Sequence, residues 1–258
     1  MGSASREALA QARSAITGRL AQSAGTELLQ AASRIAESPA LAGALSDASA
    51  PAEAKTQLIE RLFGGFSAGA RSVLSAAVQG RWSTVGEFVD GVEELGLRAE
   101  SAANPALSDE LLAVADVVSG NHDLQLSLGS KLADPAGKVA LISRLVDGKV
   151  SVSTARMVSH LVASPRGRKI DSALRQAART AADQAGNELA MVTVATPLSA
   201  DQQARLARAL EQSAGRPVTL KIAVDPALVG GIRVQIADDI IDGSIRARLD
   251  DLRVKLAA

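Results

Sequence analysis

Gly65-Phe66-Ser67-Ala68-Gly69 spells Gly-x-Ser-x-Gly, the nucleophile elbow in which a strained strand-to-helix turn projects a serine hydroxyl for attack. The elbow needs a strand in front of it. Here Ala54, Leu58, Ile59, Leu62 and Phe63 fall on one helical stripe, so Gly64-Gly65 reads as a helix stop followed by a loop. A serine hydrolase using Ser67 is therefore an alternative reading and not the leading one. His122 and His160 lie far apart, and neither has a Glu-x-x-His or cysteine partner at metal-ligand spacing. Both read as surface or helix-face residues. Serine, histidine and aspartate all occur, but nothing in their spacing assembles a triad. No Gly-x-Gly-x-x-Gly or Gly-x-x-x-x-Gly-Lys run is present to cradle a nucleotide. The single basic cluster, Arg166-Gly167-Arg168-Lys169, could meet a phosphate or an anionic lipid, and reads better as a solvated loop between helices. The acidic residues read as solvated helix faces. The expectation is a protein with no catalytic residue, cofactor site or metal site.

Composition points the same way. The 258 residues carry 28 basic and 28 acidic side chains, and the balance holds along the chain: 9 against 11 in residues 1–107, 10 against 8 in 108–185, 9 against 9 in 186–258. No third is basic enough to track a polyanion, which argues against nucleic acid as a partner. Cysteine is absent, so disulfide and thiolate chemistry are excluded and a reducing compartment is expected. No run of apolar residues is long enough to span a bilayer, and the opening Met1–Arg6 leads into a mixed polar helix, so the chain reads as soluble. Phe63, Phe66, Trp82 and Phe88 are the only aromatic residues. The core must be made of Ala, Leu, Val and Ile, small side chains that suit closely packed helices.

Residues 5–185 read as helix after helix. Leu28, Leu29, Ala32, Ile35 and Ala36 form one buried stripe; Ala68–Gln79 and about Val85–Glu100 are further helices, the last stopped before Pro105. The pattern then repeats. Glu27, Leu28, Leu29, Ala32, Leu41, Leu45, Lys55, Leu58, Ile59, Arg61, Leu62 and Gly65 all recur 83 positions later, from Glu110 to Gly148. These are twelve identities where composition would give about three or four. Pro51 and Pro135 each open a helix, with Asp134 a natural N-cap. The reading is a duplicated helical module, residues 1–103 and 104–185, with one long helix joining the copies.

After Gly186 the period changes from helical to alternating. Leu189–Pro197 is β-rich, Ser199 with Gln202 makes a capping box for a helix ending near Gly215, and Val218–Val224 and Ile232–Ile236 alternate as strands. Asp238-Asp239 is expected as a turn, Ile240-Ile241 as a short strand, and Asp242 or Ser244 as the cap of a last helix to about Leu256. Residues 186–258 thus form a small α/β domain, β-α-β-β-β-α, behind a mostly α chain of two tandem bundles.

This tail carries a resemblance. Val224-Asp225-Pro226-Ala227-Leu228-Val229-Gly230-Gly231, an alternating strand, and then Ile241-Asp242-Gly243-Ser244-Ile245-Arg246-Ala247-Arg248-Leu249 closely resemble the hallmark of the ATP synthase delta subunit family, which includes the mitochondrial oligomycin-sensitivity-conferring protein. Ala237 stands where the family often has glycine, and Val192–Ser199, Gly80-Arg81 and Gly167-Arg168 also fit its pattern. The hallmark residues Val224, Asp225, Pro226, Leu228, Gly230, Gly231, Ile241, Asp242, Gly243, Ser244, Arg246, Arg248 and Leu249 are of fold-specifying types. Gly230-Gly231 permits positive φ or close approach, and Asp242-Gly243-Ser244 suits a turn into a capped helix. The resemblance implies a non-catalytic stator subunit of a rotary proton-translocating ATP synthase. Its helical part would grip N-terminal helices of the alpha subunits, and its α/β domain would hold the b subunit of the peripheral stalk and so resist rotor torque. It implies a peripheral place at the cytoplasmic face of the bacterial plasma membrane, and two bundles as in long actinobacterial forms. A free-standing helical adaptor is the remaining alternative.

Overall fold

The computed structural model describes residues 1–16, 20–130, 132–236 and 239–245. It divides into two compact units, Met1–Ala181 and Ala182–Ala258. The chain is mostly α with a C-terminal α/β unit.

The first unit is helical. Its elements are α1 (Ser3–Arg13), α2 (Ala24–Glu37), α3 (Pro39–Ser46), α4 (Ala52–Leu62), α5 (Ala68–Gln79), α6 (Val85–Ala103), α7 (Leu107–Ser119), α8 (His122–Gly129), α9 (Pro135–Val146), α10 (Val152–Ala163) and α11 (Ile170–Gln184). Short polar residues start these helices by satisfying backbone N–H groups that the first turn leaves free. Ser38 Oγ accepts from Leu41 N at 3.3 Å, and Asn121 Oδ1 accepts from Leu124 N at 2.9 Å. Asp134 accepts from Gly137 N at 3.1 Å, ahead of Pro135 in the first turn of α9. Pro51 is the N-cap of α4 rather than its first helical residue.

The apolar stripes point inward. Leu28, Ile35, Leu45, Ile59, Phe63, Leu74, Phe88 and Leu95 are fully buried around α2, α5 and α6. Trp82 packs edge-on against Phe88 with ring centroids 5.7 Å apart, and its Nε1 donates to Ala77 O at 2.8 Å. Further along, Leu107, Leu111, Leu112, Leu128, Ile142, Met157, Leu161 and Leu174 are buried in turn. Helices α2 and α6 approach closely because Gly25 has no side chain: a Cβ there would lie 2.8 Å from Glu100 N.

The second unit holds β1 (Glu188–Val194), α12 (Ala200–Ala214), β2 (Val218–Val224), β3 (Ile232–Ile236) and β4 (Asp239–Asp242), in the sheet order β2-β1-β3-β4. The α12 crossover makes β1 and β2 parallel, and the β3 and β4 pairings are antiparallel. Ser199 and Gln202 form the expected capping box, and Gly215 closes the helix at φ 69°. Alternation puts Ala190, Val192, Val194, Val218 and Val234 into a core with Leu210 of α12. Asp239, expected in a turn, instead begins β4 and pairs with Ile236. The expected last helix lies outside the described residues, apart from Ile245.

Candidate interaction site

Backbone geometry accounts for much of the C-terminal signature. Val224 ends β2 in register with Val194, and the next backbone N–H, of Asp225, donates to Val194 O at 2.9 Å. The Asp225 carboxylate accepts from Ala227 N at 2.9 Å, and Leu228 N donates to Asp225 O at 3.0 Å. Together they fold Asp225–Leu228 into a tight turn that Pro226, with its fixed φ, can enter. Gly230 then comes up against Ile245, and Gly231 against Gly243 and Ser244. Gly231 has φ +85°, and a Cβ on it would lie 2.4 Å from Gly243 O. Gly243 N donates to Ile232 O at 2.8 Å and Ile245 N to Gly230 O at 3.0 Å, which latches the two segments. The Asp242 carboxylate accepts from Ser244 N at 3.0 Å and from Arg233 Nη2 at 2.8 Å. Hydrogen bonds from Ser244 first, then from Arg233, hold its pKa at about 2. Ile241 pairs with Val234 and is exposed. Arg246, Arg248 and Leu249 lie outside the described residues.

In the helical unit, the residues that could have done chemistry are occupied with structure. Ser67 caps α5, accepting from Ala70 N at 3.3 Å, and its Oγ donates to Glu27 Oε2 at 2.6 Å. The preceding element is the helix α4, not a strand, so no elbow projects this hydroxyl. The same device recurs. Ser151 caps α10, accepting from Thr154 N at 3.3 Å, and its Oγ donates to Glu110 Oε2 at 2.6 Å. Burial pushes the Glu110 pKa up, but hydrogen bonds from Ser151 and Thr154 outweigh it and hold the group below the usual carboxylate range. Lys55 Nζ donates to Asp47 O at 3.0 Å, and Lys138 Nζ bonds Ser130 O in the same way. The sequence match found Glu27, Glu110, Lys55 and Lys138. It missed their partners, although Ser67 and Ser151 are both helix-opening serines.

The Arg166–Lys169 run is a loop between α10 and α11, as expected, but only Gly167 and Lys169 are exposed, and Arg166 and Arg168 are half-buried. Glu93 of α6 is 3% exposed, and one imidazole and two guanidinium groups converge on it. His160 Nε2 lies 3.0 Å from Glu93 Oε1, Arg168 Nη1 lies 2.9 Å from Oε2, and Arg166 pairs with Oε2 while its Nη1 reaches Asp90 at 2.9 Å. Burial alone would raise the Glu93 pKa. The hydrogen bonds from His160 and Arg168 and the two guanidinium charges outweigh it and bring it to about 2. Two sequence expectations are corrected here: Glu93 and Glu100 are buried rather than on solvated faces, and His160 is a half-buried hydrogen-bond partner of Glu93. A carboxylate placed between Val92 and Leu95 resembles a surface position until its partners, more than sixty residues away, arrive. His122 is exposed, and no group of His, Asp or Glu among the described residues could hold a metal.

A family model described as the ATP synthase delta (OSCP) subunit matches residues 97–256. The chain belongs to the ATP synthase delta (OSCP) family. It is 44% identical to the ATP synthase subunit delta of Leifsonia xyli subsp. xyli, over 100% of both chains. It is 38% identical to that of Streptomyces avermitilis, over 99% of this chain and 98% of the other. Against the Nocardia farcinica subunit delta the identity is 38%, over 99% and 97%. As a delta-family member the chain is a non-catalytic stator component of ATP synthase, and the hydrolase and free-standing adaptor readings are not supported. No helix among the described residues is long and apolar enough to cross a membrane.

Proposed function

We propose that this delta-family chain joins the catalytic head of ATP synthase to its peripheral stalk, with different parts of the chain holding each end. The helical part takes N-terminal helices of the alpha subunits, and residues 186–258 take the end of the b subunit. The complex sits peripherally at the cytoplasmic face of the bacterial plasma membrane. The observation that carries this reading is the division of a non-catalytic chain into a helical unit and a small α/β unit, each with its own core.

The helical part is two copies of one module, residues 1–103 and 104–185. Matched side chains making matched bonds support this: Glu27 with Ser67 and Glu110 with Ser151, Lys55 with Asp47 O and Lys138 with Ser130 O. Helix α6 joins the copies. The first copy, which holds every aromatic side chain, lies at the alpha contact, and the second acts as a spacer.

Copurification tests the proposal. Solubilised synthase from membranes washed at low and at high salt should retain this chain together with alpha and b. Recovery of the chain free of both subunits after either wash would refute it.

A further inference from the structure

A trough with a volume of about 870 Å³ runs between α2 on one side and α9 and α10 on the other. Its walls therefore come from the two matched stretches of the helical unit, so a chain with a single module could not form it. The lining is mainly apolar, with Leu29 on one wall and Val139, Val146, Val150 and Val152 on the other. Val152, at the rim beside these groups, is 67% exposed. Ser33 Oγ and His160 Nδ1 meet across the trough at 3.4 Å.

Its charges are asymmetric. Arg34 on α2 and Arg156 on α10 both line it and both are exposed, and neither has a carboxylate partner among the described residues. Arg34 rests over the Phe66 ring at 5.8 Å. Asp147 is the one acidic residue of the lining. An apolar floor with an exposed guanidinium on each wall fits an apolar helix face flanked by carboxylates. A basic helix would be repelled.

We propose that this trough is a docking groove for an amphipathic helix of another ATP synthase subunit, one that bears acidic residues on both sides of its apolar face. The proposal rests on the stator reading and adds a contact at the junction of the two modules. Apolar burial holds the helix, and Arg34 and Arg156 fix its orientation.

The chain has no cysteine, so a single introduced thiol can be labelled without ambiguity. The test places benzophenone maleimide on Val152→Cys in the full chain, with Gln203→Cys on α12 as control, and photolyses each within assembled synthase. The Val152 probe, and not the control, should join a peptide of another subunit that carries acidic residues on both flanks of an apolar stripe. Adding Arg34→Glu and Arg156→Glu should lower the yield about tenfold with the unfolding midpoint unchanged. No cross-link, one to a second copy of this chain, or one to a segment without flanking carboxylates overturns the groove. If the labelled chain still copurifies with synthase in those cases, the stator reading stands. If the unlabelled Val152→Cys chain fails to copurify, both fall.

Discussion

Replacing Glu93 by glutamine keeps its volume and removes the charge that Arg166 and Arg168 share. Its pKa lies at about 2 instead of the ordinary 4.5. That difference corresponds to about 3 kcal/mol of stability held by the ionised group. Removing one member of a buried ion pair costs about 3–5 kcal/mol when its partners are stranded. The partners here are less confined, with the Arg166 side chain 20% and the Arg168 side chain 33% exposed, so both can turn partly to water. About 2–4 kcal/mol is therefore expected for Glu93→Gln at pH 7. Urea unfolding of the full chain, followed by far-ultraviolet circular dichroism and by Trp82 emission, measures it. The sign with pH is fixed. The folded pKa is depressed, so the contribution is fully present above about 4.5 and is lost as pH falls from there towards 2. The gap between wild type and Glu93→Gln should narrow across that window. A gap under about 0.5 kcal/mol at pH 7, within the range of ordinary surface substitutions, would refute the reasoning, as would a gap that ignores pH.

Glu27→Gln and Glu110→Gln should each cost about 1–2 kcal/mol in the same assay, because each weakens acceptors for a capping serine. A cost at one site and none at the other would contradict their equivalence. Gly231→Ala, at φ +85° with Gly243 O in the way, should destabilise the α/β unit by more than about 2 kcal/mol. Gly215→Ala, at φ +69° with open space around it, should cost only about 1 kcal/mol, and equal midpoints for the two variants would count against the close-approach argument. Ser67 should take up no fluorophosphonate, and Ser67→Ala should leave synthase turnover unchanged; labelling abolished by denaturation would reinstate a nucleophile. Titrating a peptide of the alpha N-terminus should change Trp82 emission with an affinity nearly constant from low to moderate salt, whereas a steep fall would show an electrostatic contact.

Local physics made much of this fold legible in advance. The Ser199 capping box, the αL stop at Gly215 and the period-2 alternation of Val218–Val224 all depend on neighbours within a few residues. Helix α6 runs on to Ala103, past the expected Glu100, because Ser101-Ala102-Ala103 offers nothing to stop it before Asn104 and Pro105. Glu93 could not be read that way. Its burial depends on His160, Arg166 and Arg168, and Arg166 reaches it from a left-handed turn at φ 47° followed by Gly167 at φ 78°. Nor does anything in Leu29 or Val152 alone announce a trough, since one is an ordinary stripe residue and the other a lone valine at a helix start until two helical sets are brought side by side.

Helix α6 begins beneath Trp82 and ends at Asn104, a span of about 28 Å at helical rise. From about its middle onward Glu93 holds the α10–α11 turn, Glu100 accepts from Thr26 of α2 at 2.7 Å, Ser101 donates to Ala181 O at 2.8 Å, and Asn104 donates to Ser151 and Ser153 at 2.8 and 2.9 Å. A twisting load entering the early helices thus reaches the later ones through a continuous rod clamped along its length, with no slack loop as the sole coupling. Such a rod has little torsional compliance. Softening α6 with a mid-helix glycine pair would loosen the coupling between the early and the later helices.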